Sequence, residues 1–179
     1  MSFTLKVIKT VASQIELFSE WTGRAVSWLV LIIALIVFYD VGMRYLFLEG
    51  SVALQELEWH LFALLFLFGS AYTLKHDEHV RVDIFFRSRW MSPKRRAWVN
   101  LLGGLFLLIP FCLLVIISSG PFVFNSYQFS EMSPDPGGLT HRYLLKAAIP
   151  VGFALLLLQG LACMMRSLLT ILDSEKEGA

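Results

Sequence analysis

The chain has 179 residues, of which 56% are hydrophobic and 16% are charged, and its formal net charge is +1. Soluble domains carry about 25% charged residues, and here the apolar residues form long blocks, so the composition indicates an integral membrane protein. A net charge so close to zero gives no reason to expect a nucleic-acid partner. The two cysteines form no CxxC pair, which argues against a disulfide framework or a redox pair.

The first 23 residues have an amphipathic pattern. Ile8, Val11, Ile15 and Phe18 recur at helical spacing, and the charged residues of this segment fall on the opposite face. Such a pattern is typical of a helix that lies along a membrane surface or against a partner protein. We therefore predict an amphipathic interfacial helix over residues 1–23.

Four apolar blocks follow, and a helix needs about 20 mostly apolar residues to cross a membrane. The third span should begin after Ser92, a good N-cap that is followed by proline, and should end near Gly120. Pro110 should disturb it midway. The whole chain is expected to form a single all-α membrane domain, 1–179, with a flexible tail at 173–179. The predicted spans are 24–46, 57–75, 93–119 and 144–166.

The first two charge-free runs, Ala25–Tyr39 and Trp59–Leu74, are too short to cross a membrane alone. At 1.5 Å per residue they fall several ångströms short of a hydrocarbon core about 30 Å thick. Both helices must therefore extend into charged residues at the same boundary, where the fourth span also begins. We interpret these charges as helix-pairing or subunit-interface positions, the alternative being solvated helix ends. They are Asp40, Arg44, Glu56, Glu58, Arg142 and Lys146.

Lysine and arginine are distributed unevenly between the two sides of the predicted spans. Twelve of the 15 basic residues fall in the N-terminal segment, the second loop and the C-terminal end. The other three are Arg44, Arg142 and Lys146. Because cytoplasmic loops carry an excess of basic residues, both termini and the second loop are predicted to be cytoplasmic.

The stretch Tyr72–Asp83, "YTLKHDEHVRVD", follows the second span and contains two histidines. On a helix His76 and His79 would lie three residues apart and could share a metal ion. A metal site needs three or four ligands with supporting contacts, and several bases nearby would repel a cation. We therefore favour the simpler interpretation, polar residues where a helix leaves the membrane. Whether residues 79–86 form helix or strand is left open.

The same stretch, with its neighbours, resembles a known family. A span that ends in His79-Val80-Arg81-Val82-Asp83, followed by a basic loop and another span, resembles the small (Q-type) membrane subunit of tripartite ATP-independent periplasmic (TRAP) transporters. The order and spacing of further residues across all four spans agree with this resemblance. They are Glu56, Gly69, Ser126, Glu131, Ser133, Gly137, Gly138, Leu139, Arg142, Lys146 and Pro150.

The resemblance implies a function and partners. Transporters of this family use a soluble periplasmic binding protein that captures an organic acid, and a large multi-span permease subunit that moves it, driven by sodium. The small subunit is implied to be a scaffold in the bacterial inner membrane that contacts both partners and the lipid, without a cofactor. The implied motif of the cytoplasmic loop is His79, Arg81 and Asp83. The positions that we expect to face the binding protein are Ser126, Glu131, Ser133, Asp135 and Gly138.

The span centres agree with an accessory role, because they carry no charged residue, whereas a transport path normally needs polar groups near the membrane midplane. Two alternatives remain open. A membrane redox or haem protein, an enzyme rather than a scaffold, would place histidines along its spans, but the four histidines lie at span ends or in loops. A self-sufficient small exporter would want an intramembrane acid, and only Asp40 is a candidate.

Overall fold

A computed structural model describes residues 3–78 and 91–176 of the chain. Within these ranges it contains helices and no strand, and four helical segments are long and apolar enough to cross a membrane. The prediction of an all-α membrane protein with four spanning helices is confirmed. His79, Arg81 and Asp83, together with the open question at 79–86, lie outside the described residues. The helices are α1 (Phe3–Leu46), α2 (Val52–Lys75), α3 (Pro93–Gly103), α4 (Ile109–Gln128) and α5 (Tyr143–Lys176).

Helix α1 joins two segments that the sequence analysis treated separately. Its 44 residues give a length of about 66 Å, roughly twice the thickness of a hydrocarbon core. The predicted interfacial helix therefore runs into the first span without a break at residue 23. Gly23, the one weak helix former at that junction, is accommodated because α2 packs against it, as described below.

Helices α3 and α4 are joined by a π-helical turn, Gly104–Leu108, into one rod. Pro110 is the second residue after this turn. Because proline has no N–H to donate to the carbonyl four residues earlier, an irregularity is expected at this point. The rod also continues through Pro121 to Gln128, eight residues beyond the helix end that we predicted near Gly120. A proline inside an apolar helix is tolerated where neighbouring helices support it, and α5 packs along α4 here.

The core consists mainly of small side chains at helix crossings. Helix α5 lies at the centre and contacts α1, α2, α3 and α4. Among the described residues the largest fully buried side chains are Gln159 and Cys112. Small residues let helix backbones approach closely in a membrane. A Cβ atom added to Gly23 would lie 2.3 Å from a ring carbon of Tyr72, so α1 and α2 cannot accept a larger residue there without moving.

Ion pairs join α1 to α2 and α5 at one end of the bundle. We call this end the basic end, because Lys75, Arg166 and residues 94–96 lie there. Lys75 Nζ donates to Glu20 at 2.6 Å, and His76 Nε2 lies 2.9 Å from the same carboxylate. Arg166 forms two hydrogen bonds with Glu16, of 2.6 and 2.8 Å. The N-terminal half of α1 is therefore tied to both α2 and α5.

These contacts give His76 a structural role. No group of three or more metal-ligating side chains occurs in the parts of the chain that the structure describes. His79 lies outside those parts. In the described residues, the His76 ring contacts the Glu20 carboxylate.

Candidate functional site at the loop end

The opposite end of the bundle, which we call the loop end, holds the α1–α2 connection and the loop 129–142. Glu56, in the second turn of α2, is buried there. Its carboxylate accepts a hydrogen bond from Ser133 Oγ and another, of 2.6 Å, from the Leu139 N–H. Ser133 and Leu139 also pair with each other through a backbone hydrogen bond of 3.0 Å. One acidic side chain therefore holds both arms of the loop against α2.

Gly138 makes this contact possible. A Cβ atom at this position would lie 2.5 Å from Ser133 Oγ and 2.8 Å from Glu56 Oε2. Both distances are shorter than any ordinary contact, so a side chain here would push the loop away from Glu56. The resemblance suggested Gly138 as a docking residue, and in the structure it packs against Ser133 and Glu56 and stays partly exposed.

Glu131 closes the same loop from the other side. Its carboxylate accepts a hydrogen bond from Lys146 Nζ at the start of α5. Its N–H donates to the Ser126 carbonyl at 3.0 Å, and its carbonyl accepts from the Arg142 N–H at 3.1 Å. The hydrogen bond from Lys146 holds the pKa of the Glu131 carboxyl below its ordinary value. Glu131 thus bridges the end of α4 to the start of α5.

The two basic residues at the start of α5 also lie over aromatic rings. The Arg142 guanidinium is 5.6 Å from the centre of the Trp59 ring, and Lys146 Nζ is 4.0 Å from the centre of the Phe122 ring. Cations at such distances are attracted by the negative face of the ring. Both residues are therefore engaged by neighbours within the chain, from α2 and from α4 respectively.

The remaining predicted charges are placed differently. Asp40 and Arg44 form the ion pair that their spacing predicts, with Asp40 buried and the Arg44 side chain half exposed. Glu58 is half-buried, and no ion pair involves it within residues 3–78 and 91–176. Lys146 pairs with Glu131 of the loop. The structure therefore brings Glu56, Glu131, Arg142 and Lys146 into one cluster and leaves Asp40, Arg44 and Glu58 outside it.

The five expected docking residues separate into two groups. Ser126 is buried, and Glu131, Ser133 and Gly138 are in contacts that hold the loop. Asp135 is exposed at the loop tip. Asp135 is therefore accessible to a soluble partner, Glu131, Ser133 and Gly138 are partly exposed, and Ser126 is enclosed.

The sequence analysis missed an aromatic pocket beside this loop, which we define by Tyr127, Met132, His141 and Tyr143. The Tyr127 and Tyr143 rings meet edge to face at 5.3 Å, and His141 and Tyr143 lie 5.8 Å apart. Together with Gln128, Ser130 and Thr140 they line a cavity of about 470 Å³. In the sequence, only the density of aromatic residues around the loop pointed to such a pocket. No local pattern shows that the two ends of this 14-residue loop lie close together.

Comparison with known proteins agrees with this architecture. A family model described as "Tripartite ATP-independent periplasmic transporters, DctQ component" matches residues 33–170. The chain belongs to this family of small TRAP permease subunits. The matched region includes the C-terminal part of α1, all of α2, α3 and α4 and most of α5, so it covers both the loop cluster and the helices that carry it.

A relative from Haemophilus influenzae, whose name assigns it as a TRAP transporter small permease protein, is 28% identical over 126 residues. The alignment covers 70% of this chain and 76% of the relative. No solved structure matches the chain. The family suggested by the sequence motifs is therefore confirmed, and the chain is a component of a TRAP transporter in the membrane.

Proposed function

We propose that this TRAP subunit is the scaffold of a sodium-driven, binding-protein-dependent transporter for organic acids. It would hold the large permease subunit in the membrane and offer part of the docking surface for the periplasmic binding protein. The observation that carries the proposal is the position of the charges in the described spans. They lie at the two ends, where most of them are bound to neighbours within the chain, and the span centres carry none.

Such an arrangement suits a part that stays fixed while another part moves. A residue that carried an ion or substrate would need a polar group at membrane depth that could exchange partners. Here Glu16, Glu20, Glu56 and Glu131 each have partners on a second element of the same chain. These bonds stiffen the bundle and support a scaffold in preference to an exporter.

The orientation is part of the proposal. The positive-inside rule places the basic end in the cytoplasm, together with both termini. The loop end then faces the periplasm. It carries three basic residues against six acids, Asp40, Glu49, Glu56, Glu58, Glu131 and Asp135, of which Asp40 and Glu56 are buried and Glu49 and Asp135 are exposed.

The charges outside the loop cluster are candidates for contact with the large subunit. Arg44 is half exposed, and Glu58 is half-buried without an ion pair in the described parts of the chain. Both lie at the loop end near the membrane boundary, where a neighbouring subunit can pair with them. Glu56, Arg142 and Lys146 are more simply assigned to pairing helices within this chain.

Reconstitution in vesicles tests the proposal. We expect uptake of a radiolabelled organic acid only when this chain, the large subunit and the binding protein are all present with an inward sodium gradient. Vesicles with the chain alone should take up nothing, with or without sodium. Concentrative uptake by the chain alone, or full uptake by the other two components without it, would overturn the scaffold function.

A further inference from the structure

A cavity opens between α2 and α3 at the basic end, over the face of α5. Both of these helices pack on α5, and the cavity is the space that remains between them. Its volume is about 610 Å³, within the range of about 300–1,000 Å³ that is usual for ligand pockets. The apolar part of its wall includes Leu74, Val99 and Leu108.

The cavity reaches from the membrane boundary into the hydrocarbon core. Lys146 and Arg166 lie near the two ends of the fourth span and are 20 residues apart in α5, a rise of about 30 Å that matches the core thickness. Arg166 therefore lies at the boundary. Gln159, which also lines the cavity, is seven residues earlier in α5, about 10 Å deeper. At these depths a bilayer lipid changes from its headgroup to its acyl chains.

The mouth of the cavity offers hydrogen-bond donors to an anionic ligand. Its charged residues are two cations and two acids, Lys75, Arg166, Glu16 and Asp77. The Lys75 ammonium donates to Glu20 at 2.6 Å and has three N–H groups. The Arg166 guanidinium donates to Glu16 from Nε and Nη2, whereas its Nη1 donates to no residue within 3–78 and 91–176. Glu16 is thus engaged by Arg166, and Asp77 also has a partner.

The inner end of the cavity carries a polar group that needs a partner. The Gln159 side chain is 1% exposed. Its Nε2 lies 3.5 Å from Cys163 Sγ, and its Oε1 accepts no hydrogen bond in the part of the chain that the structure describes. A buried amide without a hydrogen bond is costly. The ester region of a lipid and the water that hydrates it supply such bonds at this depth, whereas a purely apolar filling supplies none.

We propose that this cavity binds one phospholipid of the leaflet at the basic end. Its phosphate accepts hydrogen bonds from Lys75 and Arg166, as lipid headgroups do in basic pockets between membrane helices. Its ester groups and their bound water lie at Gln159, and an acyl chain continues along the apolar wall. The lipid thereby joins α2, α3 and α5 at the end of the bundle where α1 is held by ion pairs. This site does not depend on the proposed partners of the chain.

The two native cysteines test the occupancy of the cavity. Cys163 lines it, whereas Cys112 is fully buried outside it. In the full chain, purified in detergent and stripped of lipid, Cys163 should react with N-ethylmaleimide and Cys112 should not. Added phospholipid should slow the reaction of Cys163 about 10-fold or more, and diacylglycerol, which has the chains but no phosphate, should protect little. An unreactive Cys163 in the stripped chain would show that protein fills the cavity. Equal protection by diacylglycerol would show a filling that needs no phosphate, and either result would overturn the proposal.

Matched variants separate the phosphate contact from folding. Arg166→Gln and Glu16→Gln break the same ion pair, but only Arg166→Gln removes a phosphate donor. Phospholipid retained by the purified chain, counted by native mass spectrometry, should fall about 10-fold or more in Arg166→Gln and persist in Glu16→Gln. Gly103→Leu should also lose the lipid, because Gly103 lines the cavity and a Cβ atom added there meets nothing within 4 Å. Gly69→Leu, at a glycine of α2 with similar open space, should keep it.

Two outcomes of this comparison contradict the proposed lipid site. Equal loss in Arg166→Gln and Glu16→Gln would assign the effect to the ion pair, and equal retention in all four variants would show that the lipid binds elsewhere.

Discussion

The crossing of α1 and α2 can be tested with two glycines of the same helix. At Gly23 a Cβ atom would lie 2.3–2.5 Å from three side-chain atoms of Tyr72, including the Cβ that is fixed to the α2 backbone. Carbon atoms normally approach to about 3.5–4.0 Å, so the overlap exceeds 1 Å and the helices must separate. At Gly42 nothing lies within 4 Å of the added atom.

The two glycine-to-alanine substitutions should change the free energy of unfolding in opposite directions. Overpacking costs about 1–3 kcal/mol, and the overlap with an atom that cannot rotate away places Gly23→Ala near the upper value. The better helix propensity of alanine returns at most about 1 kcal/mol. The net loss for Gly23→Ala is therefore about 2 kcal/mol, whereas Gly42→Ala should be neutral or stabilising by up to about 1 kcal/mol.

Thermal melting of the purified chain in detergent, followed by tryptophan fluorescence, measures the difference. Gly23→Ala should melt several degrees below the unaltered chain, and Gly42→Ala should melt at or above it. The ion pairs of Glu20 with Lys75 and His76 should weaken along with the crossing. If the two variants melt at the same temperature, α1 and α2 do not cross at Gly23 as described.

Three further predictions concern the loop end. Gly138→Ala should lower the melting temperature, because the added methyl group separates Ser133 from Glu56, whereas Gly50→Ala, with open space around it, should not. Glu131→Gln should lower the melting temperature by its full amount at pH 7. The difference from the unaltered chain should begin to shrink below about pH 4.3, the usual glutamate pKa, and should vanish once the pH has fallen through the lowered pKa of Glu131. A difference in melting temperature that does not shrink as the pH falls below about 4.3 would refute this role. In a background without Cys112 and Cys163, a cysteine at Asp135 should react with an impermeant thiol reagent in intact cells, and one at Thr10 should not. The reverse pattern would invert the proposed orientation.

Much of the architecture could be predicted from local sequence patterns. Apolar block lengths indicated four spans, and the N-cap Ser92 followed by Pro93 correctly marked the start of α3. The predictions of helix boundaries failed where packing against other helices determines the structure. Pro121 is an ordinary helix end by sequence, yet α5 packs along α4 and the helix continues to Gln128. Residue 23, where we divided an interfacial helix from the first span, lies inside the continuous helix α1, and Tyr72 packs against Gly23.

The candidate site was harder to predict because its bonds connect distant parts of the chain. Glu56 and Ser133 are 77 residues apart, and no periodicity or spacing reports such a pair. The motif residues were correctly noticed as a group, but a motif does not show whether a side chain faces a partner or its own chain. Asp135 was already a candidate from the sequence, whereas the internal partners of Glu131, Ser133 and Gly138 are known only from the structure.

The contacts at the two ends of the bundle agree with the scaffold role that we propose. At the basic end Glu16 and Glu20 fix α1 to α5 and α2, and at the loop end Glu56 and Glu131 fix the loop to α2 and α5. An apolar middle between two ionic ends resists displacement along the membrane normal, since either end would have to bury charge to move inward. In the transporter that we propose, the large subunit would move substrate relative to this fixed element. The same bonds hold the loop between α4 and α5 in one position at the membrane boundary, where we propose that the binding protein docks.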